Sequence, residues 1–226
     1  MTQEEFEKNT VIAATTFNRK AITQLCFYNL HANKGACTLW IYDDHSTEYP
    51  LDFLQAVAPQ ATVKQPPKKL GIEKLRPLIH NEATAAGFKF IYHVDNDAYH
   101  DPNWRTELYK LYQKAPGLLG LYNSNLHQVY TLSDIGDYLV RKHCPGISFF
   151  YELAAINDTT KGSGLSWDMK FGSQFPSAHV TKTSFVEHLG AGGIHNTDFN
   201  RDRAINPTDW LKIERERIIK QLGGTP

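Results

Sequence analysis

The sequence predicts an α/β domain with a mostly parallel central sheet flanked by helices, and three observations carry that prediction. Short apolar runs of strand length alternate with stretches whose apolar residues recur at helical spacing. Each early run closes in polar or acidic residues, at Thr15-Thr16, Asp43-Asp44 and Asp95-Asn96-Asp97. With 226 residues, 41% of them hydrophobic, the chain can bury one substantial core. Neither a repeat nor a linker calls for a second domain.

The elements follow in order. After a polar N-terminal tail, Thr10 to Thr15 reads as the first strand, and Ile22, Leu25, Cys26 and Leu30 mark a helix that stops at Asn33-Lys34-Gly35. Thr38 to Tyr42 repeats the strand and ends in Asp43-Asp44-His45-Ser46. Leu51 to Val57 is a short helix, Ala61 to Val63 a brief strand, and Lys64 to Gly71 a loop rich in Pro and Lys. Glu73 to Ala86 is helical, with Pro77 expected in its first turn and Gly87 as its stop. Phe90 to Val94 is a buried strand by length and composition. Asp101-Pro102 opens a helix to about Lys114, and Gly117 to Tyr122 is a further strand. Beyond Asn123 periodicity weakens: Ile147 to Tyr151 is an apolar run, Asn157 to Gly164 a Gly-containing loop, and Ser184 to Val186 a strand candidate. Asn206-Pro207-Thr208-Asp209 then starts a last helix with Leu211, Ile218 and Leu222 on one side.

Composition narrows the partners. Lys+Arg and Asp+Glu both number 24, so no overall basic field points to nucleic acid. The acidic start MTQEEFEKNT does not read as a secretory signal, and no apolar stretch approaches the ~18 residues of a membrane span. A soluble, cytoplasmic protein is expected, with peripheral contact at the inner face of a membrane left open. Cys26, Cys37 and Cys144 match no zinc spacing and read as buried free thiols, which fits a reducing compartment.

The chemistry concentrates where strands end. In parallel α/β sheets ligands bind outside the carboxyl ends of the strands, which brings Thr15 to Arg19, Asp43-Asp44 and Asp95 to Asp97 to one rim. Carboxylates at a strand end offer oxygen ligands, and a hard divalent cation held by one or two of them keeps positions free for phosphate. A metal-diphosphate site is the reading this supports. Acids after a strand also cap helices and turns, so it is the convergence of separate strand ends that favours the metal.

Those same segments resemble the nucleotide-sugar-dependent glycosyltransferases of the GT-A (Rossmann-like) fold, most closely the inverting family 2. Thr15-Thr16-Phe17-Asn18-Arg19 is similar to that family's first-strand T-x-Y-N-R/K, with Phe for Tyr. Ile41-Tyr42-Asp43-Asp44-His45-Ser46 is similar to I-x-D-D-x-S, and Asp95-Asn96-Asp97 with Asp101-Pro102 to the D-x-D and its downstream Pro. The ordered set covers about the first half of the chain. It implies a donor half over 1–122 and an acceptor half over 123–226 of one domain.

The resemblance also implies roles. Thr15, Phe17, Arg19, Asp43, Asp44, Asp95, Asn96 and Arg76 are expected at the nucleotide, with Lys68, Lys69 and Lys74 as other basic residues near the diphosphate. Asp97 and Asp95 are expected to hold Mn²⁺ or Mg²⁺, with His188 and His195 of the Gly-rich segment after the late strand as further ligands. An inverting transfer needs a base for the acceptor hydroxyl. Asp168 is the first candidate, beside Trp167 as a stacking surface for an acceptor sugar; Glu152, Asp158 and Glu187 are its rivals. Many family members carry an acidic pair where this chain has Leu165-Ser166. The expected donor is a UDP-sugar and the acceptor a saccharide or glycoconjugate. The alternatives are a retaining GT-A enzyme, a sugar nucleotidyltransferase and a non-catalytic nucleotide- or sugar-binding module. Thr15 to Lys20 lacks the glycine-rich phosphate loop of the nucleotidyltransferases.

Overall fold

The strands that carry the site are buried on both faces, and this dictates a layered α/β architecture. The computed structural model describes residues 1–156, 167–190 and 202–222. The N-terminal segment, expected as a tail, is the helix α1 (Gln3–Lys8), started by a reciprocal capping box between Thr2 and Glu5. Phe6 pins it to Phe90 and Phe150. There follow β1 (Thr10–Thr16), α2 (Lys20–Ala32), β2 (Thr38–Asp43), α3 (Leu51–Val57), β3 (Thr62–Lys64), α4 (Ile72–Ala85) and β4 (Phe90–Asp95). The next elements are β5 (Ala98–His100), α5 (Trp104–Lys114), β6 (Leu118–Gly120), β7 (Thr131–Asp134), β8 (Tyr138–Arg141) and β9 (Ser148–Glu152). The last are α6 (Trp167–Gly172), β10 (Ala178–Thr181), β11 (Val186–His188) and α7 (Asp209–Gln221).

Alternation along β1 explains the layering. Ile12 and Ala14 join one core with Cys26, Phe27, Trp104 and Leu108, while Val11 and Ala13 join the other with Leu75, Ile79 and Phe171. The nine-stranded sheet has the order β3-β2-β1-β4-β9-β6-β10-β8-β7. It is parallel from β3 to β4, as the strand-helix alternation requires, and mixed beyond, where β9 runs antiparallel to both β4 and β6. The three cysteines are free and buried. Among the described residues no helix is long and apolar enough to cross a membrane.

Two boundaries differ from expectation for identifiable reasons. The fourth helix begins at Ile72, so Pro77 lies beyond its first turn: the Asp44 carboxylate accepts the N–H groups of Leu70 and Gly71 at 2.7 and 2.8 Å and fixes the helix start. The helix after Asp101-Pro102 begins only at Trp104, because the Asp101 side chain accepts from the Asn103 N–H at 2.8 Å and from the Thr208 hydroxyl at 2.7 Å. Asp101 therefore ties the last helix to the turn below the acidic motif.

Candidate active site

Strand register builds the rim. β1 pairs with β2 and β4 so that Thr16 lies beside Asp43 and Thr15 beside Asp95. The Thr15 hydroxyl donates to Asp95 Oδ1 at 3.1 Å. Asn18 and Arg19 both adopt left-handed backbone, with φ of 57° and 60°. Such a pair of non-glycine residues is held only by specific contacts, at a cost of roughly 1–2 kcal/mol each. Here Asn18 accepts from the Thr47 N–H at 2.7 Å and donates its own N–H to Ser46 Oγ at 2.8 Å, locking the first loop to the second.

That turn aims Arg19 at the acidic motif. Its Nη1 donates to Asp97 Oδ2 at 2.8 Å, and its Nη2 donates to Asn96 Oδ1. The Asn96 amide in turn donates to Thr16, Thr23 and the Asn18 carbonyl. In this structure Asn96 therefore faces the scaffold and holds the Arg19 turn in place.

His188 reaches Asp97 through an antiparallel ladder absent from the sequence patterns. β11 pairs with β5 and sets His188 opposite Ala98, the residue after Asp97. His188 Nε2 lies 3.0 Å from Asp97 Oδ2, and its Nδ1 lies 3.1 Å from Asp202 Oδ2. Asp202 is held by the hydroxyls of Tyr122 at 2.8 Å and Ser124 at 2.7 Å. Burial alone would discharge His188, but Asp97 and Asp202 raise its pKa to about 10. Burial likewise opposes ionisation of Asp97, yet His188 and Arg19 hold its carboxyl well below the usual range.

These residues could hold a divalent cation once His188 gives up the ring proton that the two carboxylates favour. Two ligands of one ion bound at ~2.1 Å and at right angles stand about 3 Å apart, the separation that Asp97 Oδ2 and His188 Nε2 already have. Asp202 on the far nitrogen stands where an outer carboxylate would orient a metal-binding imidazole. No sequence motif signalled Asp202. His195 lies outside the described residues, as does Asp158.

Asp95 has a different setting. Arg76, almost fully buried, donates to Asp95 Oδ1 and to the Gly146 carbonyl, each at 2.7 Å. Its guanidinium lies 4.3 Å from the Trp167 ring centroid and 5.0 Å from that of Phe149. Desolvation and neighbouring Asp97 push the Asp95 pKa up, against the pull of Arg76. Trp167, expected at an acceptor sugar, stacks on Phe171 at 4.9 Å and carries Arg76.

At the second strand Asp43 accepts from the Ser46 N–H at 3.0 Å and from Gln65 at 2.8 Å, while Asp44 holds the loop before α4 as described above. The Lys69 ammonium sits 3.3 Å above the Phe17 ring, the face expected to receive a base.

Asp168, in the first turn of α6, lies against Gly146, where a Cβ would stand 3.3 Å from its own Cβ. It thus neighbours the carbonyl that Arg76 binds, on the same flank as Asp95. The rival carboxylates sit elsewhere. Glu152 pairs with Phe90 at the opposite end of β4 and accepts from Tyr112, and Glu187 is buried against Ala204 and Arg215. Two histidines that the sequence reading passed over, His127 and His143, lie with Asp168. Burial pushes both imidazoles below their ordinary pKa. His143 packs directly on Gly172, where a Cβ would come within 2.5 Å of the His143 Cβ. Gly172→Ala is therefore expected to lower stability by about 1–3 kcal/mol through overpacking, read from denaturant midpoints; an unchanged midpoint would place the helix and His143 further apart.

The chain has the fold of TarS from S. aureus: a 1–349 crystal structure superposes with TM-score 0.61 at 14% identity, over 78% of this chain and 59% of that one. TarS 1–349 in complex with UDP-GlcNAc gives 0.58 at 16% identity, over 82% and 61%. The chain thus spans about three fifths of those TarS fragments. No curated protein is similar to it in sequence. The model of "Glycosyl transferase family 2" matches residues 11–125, just over half of the 226 and the span that holds the Thr15, Asp44 and Asp97 strand ends. The chain belongs to glycosyl transferase family 2.

Proposed function

We propose that this protein transfers a sugar from a UDP-sugar to a hydroxyl of a saccharide or glycoconjugate, with inversion at the anomeric carbon. The observation that carries the reading is the Asp97–His188–Asp202 relay at the rim where β1, β2 and β4 end. Donor binding falls to residues 1–122 and acceptor binding to 123–226. The complex of its structural neighbour TarS with UDP-GlcNAc supports a uridine nucleotide. Buried free thiols support a cytoplasmic setting.

In this reading Thr15, Phe17, Asp43 and Asp44 frame the nucleoside, and Lys69 leaves the Phe17 face for the phosphates when a base stacks there. Asp97, His188 and Asp95 are the residues that would hold Mn²⁺ or Mg²⁺. Such a cation neutralises the charge that grows on the departing diphosphate. Arg19 and Arg76 supply fixed positive charge beside the same carboxylates. Asp168 accepts the proton of the acceptor hydroxyl as its oxygen bonds to the anomeric carbon and the bond from that carbon to UDP breaks.

Calorimetric titration of UDP, GDP and CDP with and without Mn²⁺ tests the donor side. UDP is expected to bind more tightly than the others and to need the metal. Equal UDP binding without Mn²⁺ would remove the cation from the reading, and preference for GDP or CDP would change the donor. The anomeric configuration of the product, read by NMR, tests inversion.

A further inference from the structure

His127, His143 and Asp168 come from three separate segments: the turn before β7, the loop after β8, and the start of α6. One ligating atom from each lies within 4.8 Å of the others. The convergence follows from α6, where Asp168 and Gly172 are four residues apart and share a helix face. The bare Gly172 lets the His143 backbone settle on that face. The His127 and His143 rings meet edge to face at 5.1 Å, and Tyr130 closes over His143 at 4.3 Å.

Two of the three side chains also carry ring nitrogens that the protein leaves unpaired. His143 is 4% exposed, and neither of its ring nitrogens has a hydrogen-bond partner. Nδ1 of His127 is also buried without one. A buried polar group left unpaired costs roughly 1–3 kcal/mol, so several of them around one carboxylate call for a ligand.

We propose that His127, His143 and Asp168 form a second divalent-metal site, for a borderline transition ion with Zn²⁺ as the best match. Two imidazoles and one carboxylate are a recurrent zinc donor set, and three protein ligands leave a coordination position open. Bonds of about 2.0–2.2 Å in a tetrahedron set ligands about 3.3 Å apart. The trio must therefore close from separations of at most 4.8 Å, a change within reach of side-chain rotation. Two imidazoles to one carboxylate distinguish this site from Asp97, Asp95 and His188, whose two carboxylates to one imidazole suit Mg²⁺ or Mn²⁺ better. Arg141 and Lys142 are the cations next to the site in sequence, and the Arg141 guanidinium is engaged by Asn123 at 2.6 Å and Thr131 at 3.2 Å. A carboxylate bound to zinc no longer accepts a proton. On the reading of Asp168 as the acceptor base, Zn²⁺ therefore suppresses transfer while leaving UDP binding intact.

Cobalt titration under excess Mg²⁺ tests the site through its visible absorption, independently of turnover. The wild-type protein is expected to take up one Co²⁺ with d–d bands that Zn²⁺ abolishes, and Asp97→Asn to do the same. His143→Gln and His127→Gln should each weaken Co²⁺ at least tenfold. His127 is less buried than His143, so its variant answers the question if His143→Gln fails to fold by circular dichroism. Bands that persist unchanged in a folded histidine variant, bands lost in folded Asp97→Asn, or none in the wild type would overturn the proposal. None of these results bears on whether Asp168 is the base, which the Asp168→Asn turnover decides.

Discussion

Asp97→Ala is expected to abolish metal-dependent UDP binding and to lower stability by about 3–5 kcal/mol. The figure follows from what the side chain neutralises: its Oδ2 is the shared partner of Arg19 at 2.8 Å and His188 at 3.0 Å, and removing one member of a buried ionic group leaves the others uncompensated. In a domain of this size each kcal/mol is worth about 2–4 °C, so the melting temperature should fall by roughly 6–20 °C. Neutralising Arg19 in the same protein should restore part of the loss, because the pair is coupled and a double-mutant cycle isolates that coupling. Mn²⁺ with UDP should raise the melting temperature of the wild type, by mass action on the folded state, and leave Asp97→Ala where it was. Equal stabilisation of both proteins would move the cation off Asp97.

Legibility in the sequence follows burial and strand direction. β1, β2 and β4 could be read because parallel strands buried on both faces give unbroken apolar runs, and because acids interrupt those runs abruptly at the rim. The later strands are less legible: Gly117 to Tyr122 reads as the strand that holds β6 and Ser184 to Val186 overlaps β11, but β7, exposed along its whole length, has no buried face to give an alternation. Asp97 and His188 were recognisable as ligand types, but their meeting depends on the β5–β11 ladder, and Asp202 joins them only through tertiary structure. Asn96 looked like part of the acidic motif, yet its amide turns inward to the Arg19 loop. His127 and His143 share no spacing motif with Asp168. Only the packing of α6 on the loop after β8 brings them together.

Asp168→Asn is expected to reduce kcat by about 10²–10⁴-fold while leaving the UDP dissociation constant and the donor KM unchanged, since a positioned base contributes about that much. The isosteric amide keeps the fit against Gly146 and removes the capacity to take a proton. The location of the alternatives sharpens the expectation: Glu152 sits at the far end of β4 and Glu187 under α7, so neither is placed to replace it beside Arg76 and Asp95. The two histidines separate base from ligand. If Asp168 served only to bind a transition ion, His143→Gln should depress turnover as far as Asp168→Asn does. As the base, Asp168 should remain active in His143→Gln, and that variant should resist inhibition by Zn²⁺. Full activity in Asp168→Asn would transfer the role to a carboxylate outside this flank.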